Sequence, residues 1–368
     1  MNATRQLHDL GQSLWLDNIS RGLLASGTLA RYVSEFAVTG LTSNPSIFEQ
    51  AIRTTALYDD AIRSRAAPSK SNEALFFELA FDDLSQAADL FRPTYEATDG
   101  ADGWASLEVS PLLANDTAGT ISAVAQLHEQ SPRANLFIKI PGTREGIPAI
   151  EESIYAGVPI NVTLLFSCEQ YIAAAEAYMR GIERRLAAGL DARVASVASL
   201  FVSRWDVAVK DRVSPQLRNR LGIAMAKRTY KAYRDLIASP LTRKLIDAGA
   251  SPQRLLWAST GTKDPAAPDT LYIEALAAPE TINTVPEKTL HAFAEHGRLR
   301  GVLPVDGGDA ETVLAEFERV GVDTAALAEQ LQREGTAAFA KSWIELMDCI
   351  ESKRASLSKV AHTEAAHP

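Results

Sequence analysis

The chain has 368 residues, of which 46% are hydrophobic and 23% charged, enough for one large or two ordinary globular domains with a sizeable core. Its formal net charge is −9 with no Lys/Arg-rich block, which argues against nucleic acid or an anionic membrane as a partner but leaves room for a small anionic substrate. The two cysteines, Cys168 and Cys349, form neither a metal-type spacing nor a disulfide framework; no apolar run approaches the ~20 residues of a membrane span, and the N-terminal stretch MNATRQLHDLGQSLWLDN lacks the apolar core of a signal peptide, so a reducing, cytoplasmic setting is expected.

In chain order, eight short apolar runs have the character of strands: LWLDNI (14–19), VTGLTSN (38–44), WASLEVS (104–110), NLFIKI (135–140), PINVTLLFS (159–167), VASVASLFVSR (194–204), RLLWAST (254–260) and TINTVP (281–286). Between them lie Ala-, Leu- and Glu-rich stretches with apolar residues spaced i, i+3/i+4, such as 71–91, 169–189 and 223–239, which predict helices. Strands alternating with helices imply parallel pairing. Eight such repeats predict an α/β chain folded as one (β/α)8 TIM barrel over residues 1–351. A doubly wound open sheet is the alternative, although no G-x-G-x-x-G turn follows the first strand. Segments 45–70 and 205–253 are long for a single crossover and predict extra helices. The last stretch, SKRASLSKVAHTEAAHP (352–368), loses hydrophobic periodicity and reads as a frayed polar tail.

Polar residues gather at the C-terminal ends of the strand runs: Asp17, Asn44, Glu108, Lys139, Ser167, Arg204 and Thr260. In a barrel that end carries the active site. Lys139 is the most telling of them. Leu136, Phe137, Ile138 and Ile140 surround it, the pattern of a strand buried on both faces. Burying an ammonium is costly unless it is paired, and a desolvated lysine amine is a nucleophile that can attack a carbonyl to form a Schiff base. That chemistry needs a proton shuttle. Glu108 and Asp17 are carboxylates inside apolar strands, which is rare unless they are paired or used. Plainer readings stand beside these. Lys139 could be an edge-strand surface lysine, and Glu108 and Asp17 salt-bridge partners at the barrel bottom or helix N-caps. Asn44 could be a turn residue before Pro45, and Arg204 a rim partner of Asp206. None of the six histidines, His8, His128, His291, His296, His362 and His367, lies in a strand run beside a carboxylate, so no metal site is expected; His291 and His296 are placed on the helix after the eighth strand.

The motifs LWLDNISRGLLASG, VTGLTSNPSIFEQAI, SLEVSPLLANDT, FIKIPGTREGIPAIEE, GVPINVTLLFS, ASVASLFVSRWD, LLWASTGTKDP and TINTVPEKTLHAF, in this order, resemble the transaldolase family in its longer bacterial branch, from about residue 12 to about residue 350. The resemblance implies roles residue by residue. Lys139 matches the Schiff-base lysine, Glu108 the acid/base that works through a bound water, and Asp17 the group that takes the proton when the carbon–carbon bond breaks. Thr163 matches the threonine that orders the water. Asn44, Asn161 and Ser199 match contacts to the bound three-carbon unit, and Arg204, Ser259 and Lys263 fall where the family binds phosphate. This chain reads S-L-F-V-S-R at Ser199–Arg204, where a better-known branch has Pro after the Ser and Gly before the Arg, and it offers Lys263 where that branch has arginine.

The implied reaction moves a dihydroxyacetone unit from a ketose phosphate such as sedoheptulose 7-phosphate to glyceraldehyde 3-phosphate, giving erythrose 4-phosphate and fructose 6-phosphate, as in the non-oxidative pentose phosphate pathway. No cofactor or metal is implied. The partners are small sugar phosphates, and the oligomeric state stays open between monomer and homodimer. Two other functions remain in view: a class I aldolase of the fructose-6-phosphate type on the same barrel, and a non-catalytic phosphosugar-binding barrel.

Overall fold

The computed structural model describes residues 2–365. Eight strands, β1 (Ser13–Leu16), β2 (Val38–Thr42), β3 (Ala105–Glu108), β4 (Leu136–Pro141), β5 (Ile160–Leu165), β6 (Ser196–Phe201), β7 (Arg254–Ala258) and β8 (Ile282–Val285), pair in sequence order into a closed barrel. All neighbours are parallel, and β8 closes the ring against β1. An open doubly wound sheet is thereby excluded. Every strand residue except Arg254 is buried. Burial on both faces is why these segments read as apolar runs with little polar alternation.

The long connections hold the expected extra helices. Pro45–Thr54, Asp59–Arg65 and Asn72–Ala97 lie between β2 and β3, and Ser203–Val209, Leu221–Ala238 and Pro240–Asp247 between β6 and β7. Helix starts follow local capping chemistry. Ser71 accepts from the Ala74 N–H, and Ser167 and Gln170 form a reciprocal capping box at the helix Cys168–Ala187. Ser167 is thus a helix cap, and Thr260 is a structural tie that donates to Asn283 Oδ1 or Thr284 O at 3.0 and 2.9 Å. His291 and His296 sit on the helix Glu287–His296 that follows β8. Among the described residues no helix is long and apolar enough to cross a membrane.

The lower barrel is filled by aromatic side chains. The Trp104 and Phe137 rings stack with centroids 4.0 Å apart, and Trp15 packs 6.3 Å from Phe137. Trp15 Nε1 donates to Asp102 Oδ1 at 2.8 Å, which meets the polar need of a buried indole. Gly40 lies opposite Trp15 in the ladder, and a Cβ there would stand 2.6 Å from Trp15 Cε2 and 2.7 Å from the Trp104 carbonyl. Only glycine leaves room for the indole. With the interior plugged from below, reactive groups have space only at the C-terminal ends of the strands.

One helix of 42 residues, Thr324–Ala365, runs along that end. Gln332 Nε2 donates to the carbonyls of Gly142 (2.9 Å) and Leu164 (3.0 Å), at the tops of β4 and β5. Leu164 has a left-handed backbone (φ 58°) at the irregularity between Val162 and Leu165. Farther along, Lys353 Nζ bonds the Thr55 carbonyl and Asp59, and Arg354 reaches the carbonyls of Lys70 and Ala67 and the Asn72 side chain. This corrects the reading of 352–368 as a frayed tail: the helix continues through Ala365, and residues 366–368, with His367, lie outside the described part. Hydrophobic periodicity missed it because this turn is fastened by charged heads on backbone carbonyls, with Leu357 as its buried apolar contact.

Replacing Gly40 with alanine forces a methyl into the Trp15 and Trp104 contacts. Gly40→Ala is expected to lower stability by about 1–3 kcal/mol, the usual range for overpacking a core. Urea denaturation checks this; an unchanged midpoint would show that the indole moves aside freely.

Candidate active site

Three predicted residues lie in register on neighbouring strands of the inner wall. Glu108 on β3 is in register with Lys139 on β4, and Lys139 with Asn161 on β5. Lys139 Nζ donates to Glu108 Oε2 at 2.9 Å and to the Ser43 carbonyl at 2.9 Å. The two residues are 5% and 4% exposed, so this is a buried ion pair on the inner wall, and the edge-strand reading of Lys139 is excluded. Burial pushes the Glu108 carboxyl above the ordinary glutamate range, against the charge and hydrogen bond of Lys139. Glu108 Oε1 and Thr163 Oγ1 are both buried without a hydrogen-bond partner in the protein. Buried polar atoms are seldom left so, and two at one site call for a polar partner from a bound molecule.

Asp17 follows β1, its N–H bonded to the Val285 carbonyl at 2.8 Å. Its Oδ1 accepts from Thr42 Oγ1 at 2.9 Å, and Thr42 meets Thr284 Oγ1 at 2.7 Å. Burial raises the Asp17 carboxyl; the Lys139 charge, the Thr42 hydrogen bond and the Lys263 charge oppose it, in that order. Asn44 combines a structural and a site position. Its Oδ1 caps the helix Pro45–Thr54, accepting from the Ile47 N–H at 3.2 Å and from Ser46 Oγ at 2.7 Å, while the residue lines the cavity.

The cavity at this site has a volume of about 220 Å³. Asp17, Asn44, Lys139, Thr163, Ser199, Arg204, Ser259 and Lys263 line it. Glu108 and Asn161 do not. Glu108 stands behind Lys139, and Asn161 accepts from Ser199 Oγ at 2.7 Å and donates to Ser106 Oγ at 3.2 Å. Asn161 thus stands just behind the cavity lining, hydrogen-bonded to Ser199 and Ser106.

Two cations mark the outer part of the cavity. Arg204 makes no hydrogen bond or ion pair among the described residues; its guanidinium carbon lies 5.1 Å from the Phe201 ring centroid and 5.7 Å from that of Phe339. Burial draws its pKa below the usual arginine value, against the charges of Glu108 and Glu334. The rim pair with Asp206 is excluded. That carboxylate accepts from the Leu221 and Gly222 N–H groups and from the Tyr272 hydroxyl, and burial raises it to about 6. Lys263 is exposed and likewise without an ion pair among the described residues. Ser259, beside it, has φ 54°, a left-handed backbone uncommon outside glycine, and its carbonyl accepts from the Ser203 N–H at 2.9 Å.

The cavity also has walls that no local sequence signal marked. Thr42 and Thr284 are ordinary strand residues, recognisable only by their place beside Asp17. Ala338, Phe339 and Ser342 come from the C-terminal helix, far downstream of every strand. In chemical terms the site offers a buried amine held against a carboxylate, a second carboxylate across the cavity, and unpaired cations at its outer part. This set suits attack on the carbonyl carbon of an anionic, hydroxyl-bearing substrate.

Comparison with known proteins follows the same line. The family model "Transaldolase/Fructose-6-phosphate aldolase" matches residues 14–350. A transaldolase of Saccharopolyspora erythraea is 44% identical over 355 residues, covering 94% of this chain and 96% of its own. One from Thermobifida fusca is 44% identical over 361 residues (96% and 98%), and transaldolase 2 of Nostoc punctiforme is 39% identical over 379 residues (98% and 99%). With its closed barrel and a full-length match to these proteins, the chain belongs to the transaldolase/fructose-6-phosphate aldolase family.

Proposed function

We propose that the protein is a transaldolase that carries a dihydroxyacetone unit between sugar phosphates on Lys139. The observation that carries this reading is the buried Lys139–Glu108 pair, 2.9 Å apart at the floor of a cavity whose outer part holds unpaired cations. Lys139 Nζ attacks C2 of the ketose phosphate, and the proton it sheds passes to Glu108, whose buried setting favours holding it. Glu108 returns the proton to the C2 hydroxyl, which departs as water and leaves the iminium. Thr163 Oγ1 and Glu108 Oε1, both without protein partners, orient that water. Asp17 takes the proton of the C4 hydroxyl, the C3–C4 bond breaks, and its electron pair is stored as an enamine. Erythrose 4-phosphate leaves and glyceraldehyde 3-phosphate adds by the reverse steps. Hydrolysis then frees fructose 6-phosphate and Lys139. The covalent intermediate divides one difficult step into easier ones.

Arg204, Lys263 and Ser259 take the phosphate. Lysine serves there as a point charge, while Arg204 supplies the planar fork. Asn44 and Ser199 contact the three-carbon unit, with Asn161 orienting Ser199 from behind. Both cysteines are unbonded, which supports a reducing compartment, the cytoplasm, as the place of action.

The test is a coupled assay with fructose 6-phosphate as donor and erythrose 4-phosphate as acceptor. Glyceraldehyde 3-phosphate is expected to appear in quantity only when the acceptor is present. Equal release without acceptor, with free dihydroxyacetone, would instead make the protein an aldolase.

A pH profile examines Asp17. It acts as the carboxylate, so kcat/KM falls as pH drops through its raised pKa. The Thr42 hydroxyl stabilises the charged form, and Thr42→Val removes that bond. The acidic limb of the variant is expected at higher pH than that of the parent. A limb that stays in place would separate it from Asp17.

A further inference from the structure

We infer that Phe339, on the C-terminal helix, is a positioning residue for the substrate phosphate, holding the Arg204 guanidinium against the cavity wall together with Phe201. The inference rests on the proposed role of Arg204 as a phosphate ligand and extends the binding site to a helix that no sequence motif connects with it.

An arginine head is usually oriented by the acceptors it bonds. Arg204 has none among the described residues, and two aromatic rings stand beside its guanidinium. The Phe201 and Phe339 rings, with centroids 6.4 Å apart and planes at 61°, give it two neighbours within cation–π range. Stacking leaves the five N–H donors of the fork unspent, whereas an ion pair would consume them. A guanidinium already held in place loses less freedom when it closes on an anion.

The helix is shaped for this contact. Gly335 precedes Phe339 by four residues and so shares its face. A Cβ at Gly335 would stand 3.1 Å from an Arg204 terminal nitrogen and 3.0 Å from Leu164 Cδ2, so the bare glycine gives the guanidinium its room. Gln332, three residues earlier, pins this face to the tops of β4 and β5, and Lys353 and Arg354 pin the far end. The Phe339 ring therefore sits on a support fixed at both sides of the cavity.

The experiment compares KM for fructose 6-phosphate with KM for its phosphate-free counterpart fructose, in the full-length protein with erythrose 4-phosphate as acceptor. Phe339→Leu keeps apolar bulk but removes the ring. It is expected to raise KM for fructose 6-phosphate about two- to thirtyfold more than KM for fructose, the range of a partly desolvated cation–π contact (about 0.5–2 kcal/mol), with the effect on KM exceeding that on kcat. Phe339→Tyr should restore most of the loss. Gly335→Ala should show the same donor bias, even though alanine is the better helix former, so a weakened helix cannot be its cause. Arg204→Ala, measured alongside, should show the bias most strongly. If Arg204→Ala discriminates and Phe339→Leu does not, the inference falls while the phosphate role of Arg204 stands. Equal effects of Phe339→Leu on both donors, unrelieved by tyrosine, would reduce Phe339 to a packing residue. If Arg204→Ala itself shows no bias, both the inference and the reading beneath it fail.

Discussion

The Lys139–Glu108 pair is the constraint around which the rest of the molecule is arranged. Two charges with 5% and 4% exposure lie 2.9 Å apart on neighbouring strands. Taking each ion out of water costs several kcal/mol, and their attraction offsets this only in good geometry. The barrel supplies that geometry. Parallel β3 and β4 bring the two residues into register, and the Ser43 carbonyl at the top of β2 takes a second ammonium proton. Below, the Trp15, Trp104 and Phe137 rings occupy the interior. Such a pair would be a poor choice for stability alone, since apolar residues of the same volume commonly serve as well. Its presence is understandable when one partner has to give up a proton and attack.

Electrostatics divide the cavity in two. At the floor, burial raises both carboxyls, and the Lys139 charge is the largest influence opposing that shift in each. Asp17 and Glu108 thus answer to the same ammonium from different strands, and on the proposed reading the neutral enamine, which leaves Lys139 without its charge, changes the proton affinity of both. Toward the outside stand Arg204 and Lys263, neither committed to a carboxylate among the described residues. On the proposed reading, the separation lets the phosphate dock away from the nucleophile while the reacting carbons lie over the amine. The C-terminal helix closes one side of this arrangement with Ala338, Phe339 and Ser342.

Much of this was legible in the residues. The eight strands stood out because burial on both faces makes each an apolar run, and Lys139, Glu108 and Asp17 stood out as charges inside such runs. Composition and spacing went no further than a barrel with misfit charges; assigning a role to each required the family resemblance. Thr42 and Thr284 escaped because a threonine in a strand is unremarkable on its own, and its importance lies in what folds beside it. Asn161 was expected against the bound molecule; its amide is engaged by Ser199 and Ser106 just behind the cavity lining, a matter of depth that a linear pattern does not encode. Phe339 and the helix past Ser352 escaped for a related reason. Their contacts join segments distant in the chain, and the fastening at Lys353 and Arg354 is polar.

The central claim is that Lys139 carries a three-carbon unit as a Schiff base. Borohydride reduction in the presence of fructose 6-phosphate, followed by intact mass and peptide mapping, tests it most directly. The account predicts one stable adduct of dihydroxyacetone mass per chain, located on Lys139. A folded protein that yields no adduct, or yields one on another lysine, would contradict it.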